Sequence, residues 1–124
     1  MENNIQDVTP VIIESPLGTD ENGDRVDVAT MQGNINYALD CMSDSLNRGE
    51  APFASHLLYT QVLDDSDPEE RRLGMNAGFA IGMLFKKAVA YTDRGISSGM
   101  TEGIKHHIRN GRVVEYRELS GYEG

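Results

Sequence analysis

Cysteine is almost missing from this chain, basic residues are few, and no long apolar run occurs. Each shortage closes off a class of function. Cys41 is the single cysteine among 124 residues, which excludes an internal disulfide and a multi-cysteine zinc site. Its neighbours at helical spacing, Tyr37, Asp40, Asp44 and Ser45, include no cation to activate a thiolate, so Cys41 reads as an inert structural thiol. Lysine and arginine total 11 against 20 aspartates and glutamates, for a formal net charge of −9 and a pI near 4.6. A surface of that sign repels a phosphate backbone, and no nucleic-acid partner is expected. A small anionic ligand stays open, because a few backbone donors and one or two arginines prevail locally. The apolar runs fall far short of the ~20 residues a spanning helix needs, and Met1 to Asp7 lacks the basic and apolar regions of a signal peptide. The expectation is a cytoplasmic protein with no membrane partner.

What the chain does contain is the makeup of one globular domain, 39% hydrophobic and 25% charged, without internal repeats. Residues 1–9 read as a loose polar segment, 10–119 as the domain and 120–124 as a tail. Pro10 to Glu14 forms a first strand whose unbroken Val11-Ile12-Ile13 suits a central position covered on both faces. Ser15-Pro16-Leu17-Gly18 stops it. In the acidic loop Gly18 to Asp27, residues Asp20, Asn22 and Asp24 alternate as in calcium loops. The glycine falls early and no bidentate glutamate follows, so the loop reads as a turn and no metal is expected. Met31, Ile35, Leu39, Met42 and Leu46 then mark a helix over Val28 to Arg48, with Gly49 as its C′ residue.

Ala51 to Ser55 is a second strand, and His56 follows at the same sheet edge as Ser15 if the strands are parallel. The apolar loop Leu57 to Ser66 either packs on the first helix or covers a ligand. Asp67-Pro68-Glu69-Glu70 opens a second long helix, with Asp67 as N-cap, Pro68 at N1 and Glu70 closing a capping box. Leu73, Ala77, Ala80, Ile81, Leu84 and Ala88 carry its buried stripe. Gly74, Gly78 and Gly82 form another stripe, each costing about 1 kcal/mol against alanine, which calls for close approach by the sheet or by a second subunit.

The stretch Ala88 to Ile104 is a strand, a polar loop over Thr92 to Gly99 and a helix start marked by Met100, Ile104 and Ile108. In an α/β sheet such a junction sits at the carboxyl edge, where backbone N–H groups and the helix dipole receive an anion or polar ligand. Thr101 to Asn110 continues the helix to Gly111, and Val113 to Leu119 is a closing strand. His106 and His107 lack ligand spacing to His56, and one of them is expected to face solvent. The order βαβαβαβ specifies a three-layer, Rossmann-like α/β domain, with a mostly parallel sheet of four to five strands and about three main helices.

Several short motifs recur here in a shared order: Ser15-Pro16, Ala54-Ser55-His56-Leu57, Leu63-Asp64-Asp65 with Pro68-Glu69-Glu70-Arg71, Tyr91-Thr92-Asp93, Ser97-Ser98-Gly99-Met100, and Val114-Glu115-Tyr116-Arg117-Glu118-Leu119. On these the chain, from Val11 to Leu119, resembles a family of small phage and bacterial domains related to nucleoside 2-deoxyribosyltransferases. The resemblance implies a flavodoxin-like fold that holds a nucleoside or nucleotide at the sheet's carboxyl edge, often as a homodimer whose partner completes the pocket, with no cofactor. Active members attack the sugar's anomeric carbon with a glutamate in a Gly-x-Glu-x-Gly segment. Here Thr101 stands at that place and Glu102 lies one residue on, rotated by about 100°.

The leading expectation is therefore a non-catalytic binder of a nucleotide-like small molecule. In a phage setting this would be sequestration of a nucleotide signal, by analogy. Ser97, Ser98 and the N–H groups of Gly99, Met100 and Thr101 would take a phosphate. Ser15, beside Pro16, and His56 would contact sugar or base, with Arg71 or Arg94 supplying positive charge. An enzyme reading keeps Glu102 as nucleophile or base, with Asp64, Asp65 or Asp93 protonating the nucleobase. A third reading is an interaction module built on the glycine stripe.

Overall fold

A computed structural model of the chain describes residues 8–123. In chain order it contains β1 (Thr9–Glu14), α1 (Val28–Asn47), β2 (Glu50–Phe53), α2 (Ser55–Leu58) with a 3-10 turn (Tyr59–Gln61), α3 (Pro68–Gly82), β3 (Lys87–Tyr91), α4 (Ser98–Arg109) and β4 (Val113–Arg117). The four strands are all parallel, in the order β2-β1-β3-β4. Right-handed crossovers then place α1 on one face of the sheet and α3 and α4 on the other, which is the three-layer arrangement expected. No helix among the described residues is long and apolar enough to cross a membrane.

Side-chain alternation divides β1 between the two faces. Val11 and Ile13 join Val89, Tyr91, Tyr37 and Cys41 in the core beneath α1. On the opposite face Met100 and Ile104 of α4 pack on Ala90. Full burial of each such aliphatic side chain contributes about 1.5–3 kcal/mol. Cys41 has no exposure, and burial pushes its thiol up to about 12, as an inert thiol requires.

Three helical stripes differ from expectation. On α1 the buried residues are Asn34, Tyr37, Ala38, Cys41 and Ser45, while Leu39 and Leu46 are 54% and 60% exposed. The helix is rotated because its small side chains allow close approach to the sheet, and its polar ones find partners there: Asn34 donates to the Leu17 carbonyl and Ser45 to Glu50. α3 ends at Gly82, so Ala88 lies in β3, and Leu73, Ala80 and Leu84 are exposed. Its inward side is the glycine stripe. A Cβ on Gly78 would lie 3.0 Å from Ser55 Oγ, and one on Gly82 3.0 Å from Arg112 Nη2. The close approach is made within the chain. On α4 Ile108 is exposed and His107 takes its place in the buried stripe.

The helix starts are set locally. Asp67 caps α3 by accepting from the Glu69 and Glu70 N–H groups, but Glu70 reaches back to the Asp64 N–H and does not close the expected box. Asp20 Oδ1 accepts from the N–H groups of Asn22 and Asp24, which makes the acidic loop a turn. Gly49 and Gly111 adopt φ of 84° and 73° past their helices, a conformation that favours glycine. Thr9 belongs to β1, not to the segment before it; residues 1–7 of that segment lie outside the described residues. Tyr122, in the expected tail, packs edge-on against Tyr37 with ring centroids 5.0 Å apart and accepts a hydrogen bond from Arg94.

Candidate functional site

In this strand order the chain leaves β1 toward β2 and returns across it to β3, so the connections diverge between the carboxyl ends of β1 and β3. Ligands of open α/β sheets bind at such a switch point. A cleft of about 180 Å³ opens here, beneath α3 and α4. Ile12, Phe53, Leu63, Met75 and Phe79 give it apolar walls. Phe79 of α3 stacks on His106 of α4 at 4.0 Å, tying the two helices together along one side. In the Leu57 to Ser66 segment Leu57 packs into the α1 core, the first of the two expected roles, while Tyr59, Thr60 and Leu63 line the cleft.

Ser15 follows β1 and His56 follows β2, and the parallel register brings both to the same edge. Ser15 Oγ and His56 Nε2 are 2.8 Å apart. Burial lowers the His56 pKa, against the opposing pull of the Glu14 and Asp65 carboxylates, so the ring is held neutral. Burial, aided by the Arg112 charge, lowers that of His106 as well.

Deeper in the cleft Glu14 Oε2 lies 2.8 Å from His107 Nε2, and His107 Nδ1 lies 3.2 Å from Arg112 Nη1. Arginine only donates, so Nδ1 accepts, the ring proton sits on Nε2, and His107 donates to Glu14. Arg112 also donates to the carbonyls of Gly82 and Phe85. At the rim Arg71 Nη1 is 3.4 Å from Asp65 Oδ2, and Arg25 approaches the same oxygen at 3.8 Å.

The expected site residues separate into three groups. Ser15, His56, Asp65, Arg71, Ser97, Gly99, Met100 and Glu102 all border the cleft. Pro16 and Arg94, with Ser97, border a second hollow, of about 360 Å³. Asp93 borders neither and serves the fold, which also engages Arg94. Asp93 accepts from the Tyr37 hydroxyl at 2.6 Å and from the Leu119 N–H, and Arg94 donates to Asn34 and Tyr122.

The phosphate cradle expected at the start of α4 is largely filled by the chain itself. Ser97 Oγ caps the Met100 N–H, the Thr101 N–H bonds the Ser97 carbonyl, and the Ser98 N–H bonds the Asp20 carbonyl. Ser98 Oγ is 3.0 Å from Thr19 Oγ1, and Thr101 is exposed and outside the cleft. The acidic loop before α1 folds over this helix end, a contact that no local pattern announces.

Glu14, Phe53, Phe79, His107 and Arg112 were not expected at the site. Two of them left a signal. Alternation along β1 sets Glu14 on the face of Ile12, and the spacing Met100, Ile104, His107 continues a buried helical stripe.

No curated protein and no solved structure matches the chain. Residues 9–117, which span every strand from β1 to β4 and all the helices between them, match the family described as Domain of unknown function (DUF7768), and the chain belongs to that family.

Proposed function

We propose that the cleft binds a nucleotide or nucleotide-derived small molecule without transforming it, in line with the resemblance to nucleoside 2-deoxyribosyltransferase-related domains. The observation that carries this reading is the 2.8 Å contact between Ser15 and His56 at the switch point of the sheet. It sets a hydroxyl and a neutral imidazole beside apolar walls able to take a flat base. Binding is favoured over catalysis because Thr101, which the resemblance sets where those transferases carry their nucleophile, is exposed and borders no part of the cleft. A hydroxyl without an adjacent base is a poor nucleophile.

Mass spectrometry of molecules released from the purified, heat-denatured protein tests the reading. The expected result is a base-containing species, with nucleosides or nucleoside monophosphates raising the melting temperature. Release of no such species together with no thermal shift overturns it. A second reading, cleavage of an N-glycosidic bond, is favoured by Glu102, which does border the cleft. Free base appearing on incubation with nucleosides, and lost in Glu102→Gln, would replace binding with catalysis. The homodimer that the resemblance implies is checked by sedimentation with and without the released ligand.

A further inference from the structure

The chain Glu14–His107–Arg112 is costly to build. His107 and Arg112 are 4% and 7% exposed, and a buried ionic chain contributes little net stability once the desolvation of its charges is counted. Two helices also give up side chains for it. A Cβ on Gly103 of α4 would lie 2.6 Å from Glu14 Oε2 and 2.9 Å from Oε1, and a Cβ on Gly82 of α3 would lie 3.0 Å from Arg112 Nη2. Glycine at interior helical positions is unfavourable in itself. All of this converges on the orientation of one carboxylate. Oε2 is held by His107, and among the described residues no group hydrogen-bonds Oε1. Glu14 borders the cleft, and no buried side-chain oxygen or nitrogen among the described residues lacks a partner, so Oε1 is open to the cleft.

From this geometry we propose that Glu14 is a ligand-binding residue: its Oε1 accepts a hydrogen bond from an N–H donor on a flat ring lying between the apolar walls of the cleft. An acceptor pre-oriented in low-dielectric surroundings discriminates strongly, because a ring without the donor leaves a desolvated carboxylate oxygen unpaired. The same charge repels phosphate from the floor of the cleft. An anionic group on the ligand therefore points outward, toward Arg71 at the rim. The amino-substituted ring enters first, and the end of the molecule that carries phosphate stays near solvent. The inference rests on the cleft being the ligand site, and it names the chemistry that the site selects.

The test uses the full chain and two probe pairs that differ by one amino group: adenosine against 9-ribosylpurine, and aniline against toluene. Dissociation constants are measured by NMR titration for the wild type and for Glu14→Gln. In that variant the amide oxygen can still accept from His107, while its NH2 group turns to the cleft and replaces the acceptor with a donor. The expected result is at least a tenfold preference for the amino member of each pair, abolished in Glu14→Gln. Ribosides that bind with no amino preference, or a preference that survives in Glu14→Gln, overturn the inference and leave the nucleotide reading standing. Aniline favoured through Glu14 while neither riboside binds does the reverse. Binding by none of the four probes overturns both.

Should Glu14→Gln fail to fold, Gly103→Ala serves instead, because its new Cβ displaces the carboxylate from α4. Loss of the amino preference there supports the assignment, and its retention overturns it. The 15N shifts of labelled histidine supply a readout independent of ligand. His107 is expected to carry its proton on Nε2, and a proton on Nδ1 would break the chain on which the inference stands.

Discussion

The two faces of the sheet treat their polar groups in opposite ways. Beneath α1 the polar groups close on one another. Arg117 donates to both oxygens of Glu50 and to the Tyr91 hydroxyl, Tyr91 donates to Asp44, and Ser45 completes Glu50. Burial pushes the Tyr37 and Tyr91 phenols above their ordinary range, which keeps both as hydrogen-bond donors. Beneath α3 and α4 the polar chain runs from Arg112 through His107 to Glu14 and ends at the cleft. α3 buries only Gly82, whereas α1 buries five residues. A face whose polar groups satisfy each other is a structural core, whereas a face whose polar chain ends at an opening is what the proposed binding requires.

The sharpest way to break this contrast is to open the closed face. Arg117→Met leaves Glu50 largely buried, with the Ser45 hydroxyl and with Lys87 at 3.8 Å. Removing one partner of a buried pair costs about 3–5 kcal/mol, and a loss of unfolding free energy of that size, read from urea denaturation, is expected. Arg117→Lys should recover little of it, because one ammonium does not reproduce the two-pronged contact. A loss below about 1 kcal/mol for Arg117→Met would show that the network is not what closes this face.

On the open face Gly103→Ala should cost about 1–3 kcal/mol, since the new Cβ meets a carboxylate pinned by His107. Gly99→Ala on the same helix is the control. Its Cβ meets only Ser97 Oγ, at 3.9 Å, so it should be neutral or stabilising by a few tenths of a kcal/mol. Equal stability for the two variants would mean that Glu14 is not held where the cleft needs it. Amide hydrogen exchange extends the comparison to the backbone. α3 should open at least about tenfold more readily than α1, a difference of about 1.4 kcal/mol, because Gly82 is its one buried residue and its other contacts run through α2 and the Phe79–His106 stack.

The same contrast explains what the sequence disclosed. Strand positions, helix caps and the parallel order were legible, because Val11-Ile12-Ile13, Asp67-Pro68 and Gly49 act through local sterics and hydrogen bonds. Ser15 and His56 were legible as a pair, since a parallel sheet delivers the residues after its strands to one edge. The rotation of α1 was not, because Ala38, Cys41 and Ser45 carry little hydrophobic signal and their value lies in close packing. Asp93 and Arg94 looked like ligand groups for the opposite reason. Their partners Tyr37, Asn34 and Tyr122 are distant in sequence, and nothing local shows that their hydrogen bonds are already satisfied.

The smallest expected effect lies at the margin of the closed face and reads its charge directly. Hydrogen bonds from Arg117, then from Lys87, lower the Glu115 carboxyl from its ordinary value to about 2. A carboxyl whose folded-state pKa is depressed binds its proton more readily in the unfolded chain. Its contribution is therefore complete above the unfolded value near 4.5 and is lost as the pH falls toward 2. Its side chain is 38% exposed, so solvent screening holds that contribution below about 1 kcal/mol. Urea midpoints of the wild type and Glu115→Gln should accordingly differ slightly at pH 7 and converge between pH 4.5 and pH 2. Because Arg117 also lowers the Glu50 carboxyl, the variant should retain part of the wild-type acid sensitivity. A gap between the two proteins that widens on acidification would carry the wrong sign, and would remove Glu115 from the set of charges that hold Arg117 in place.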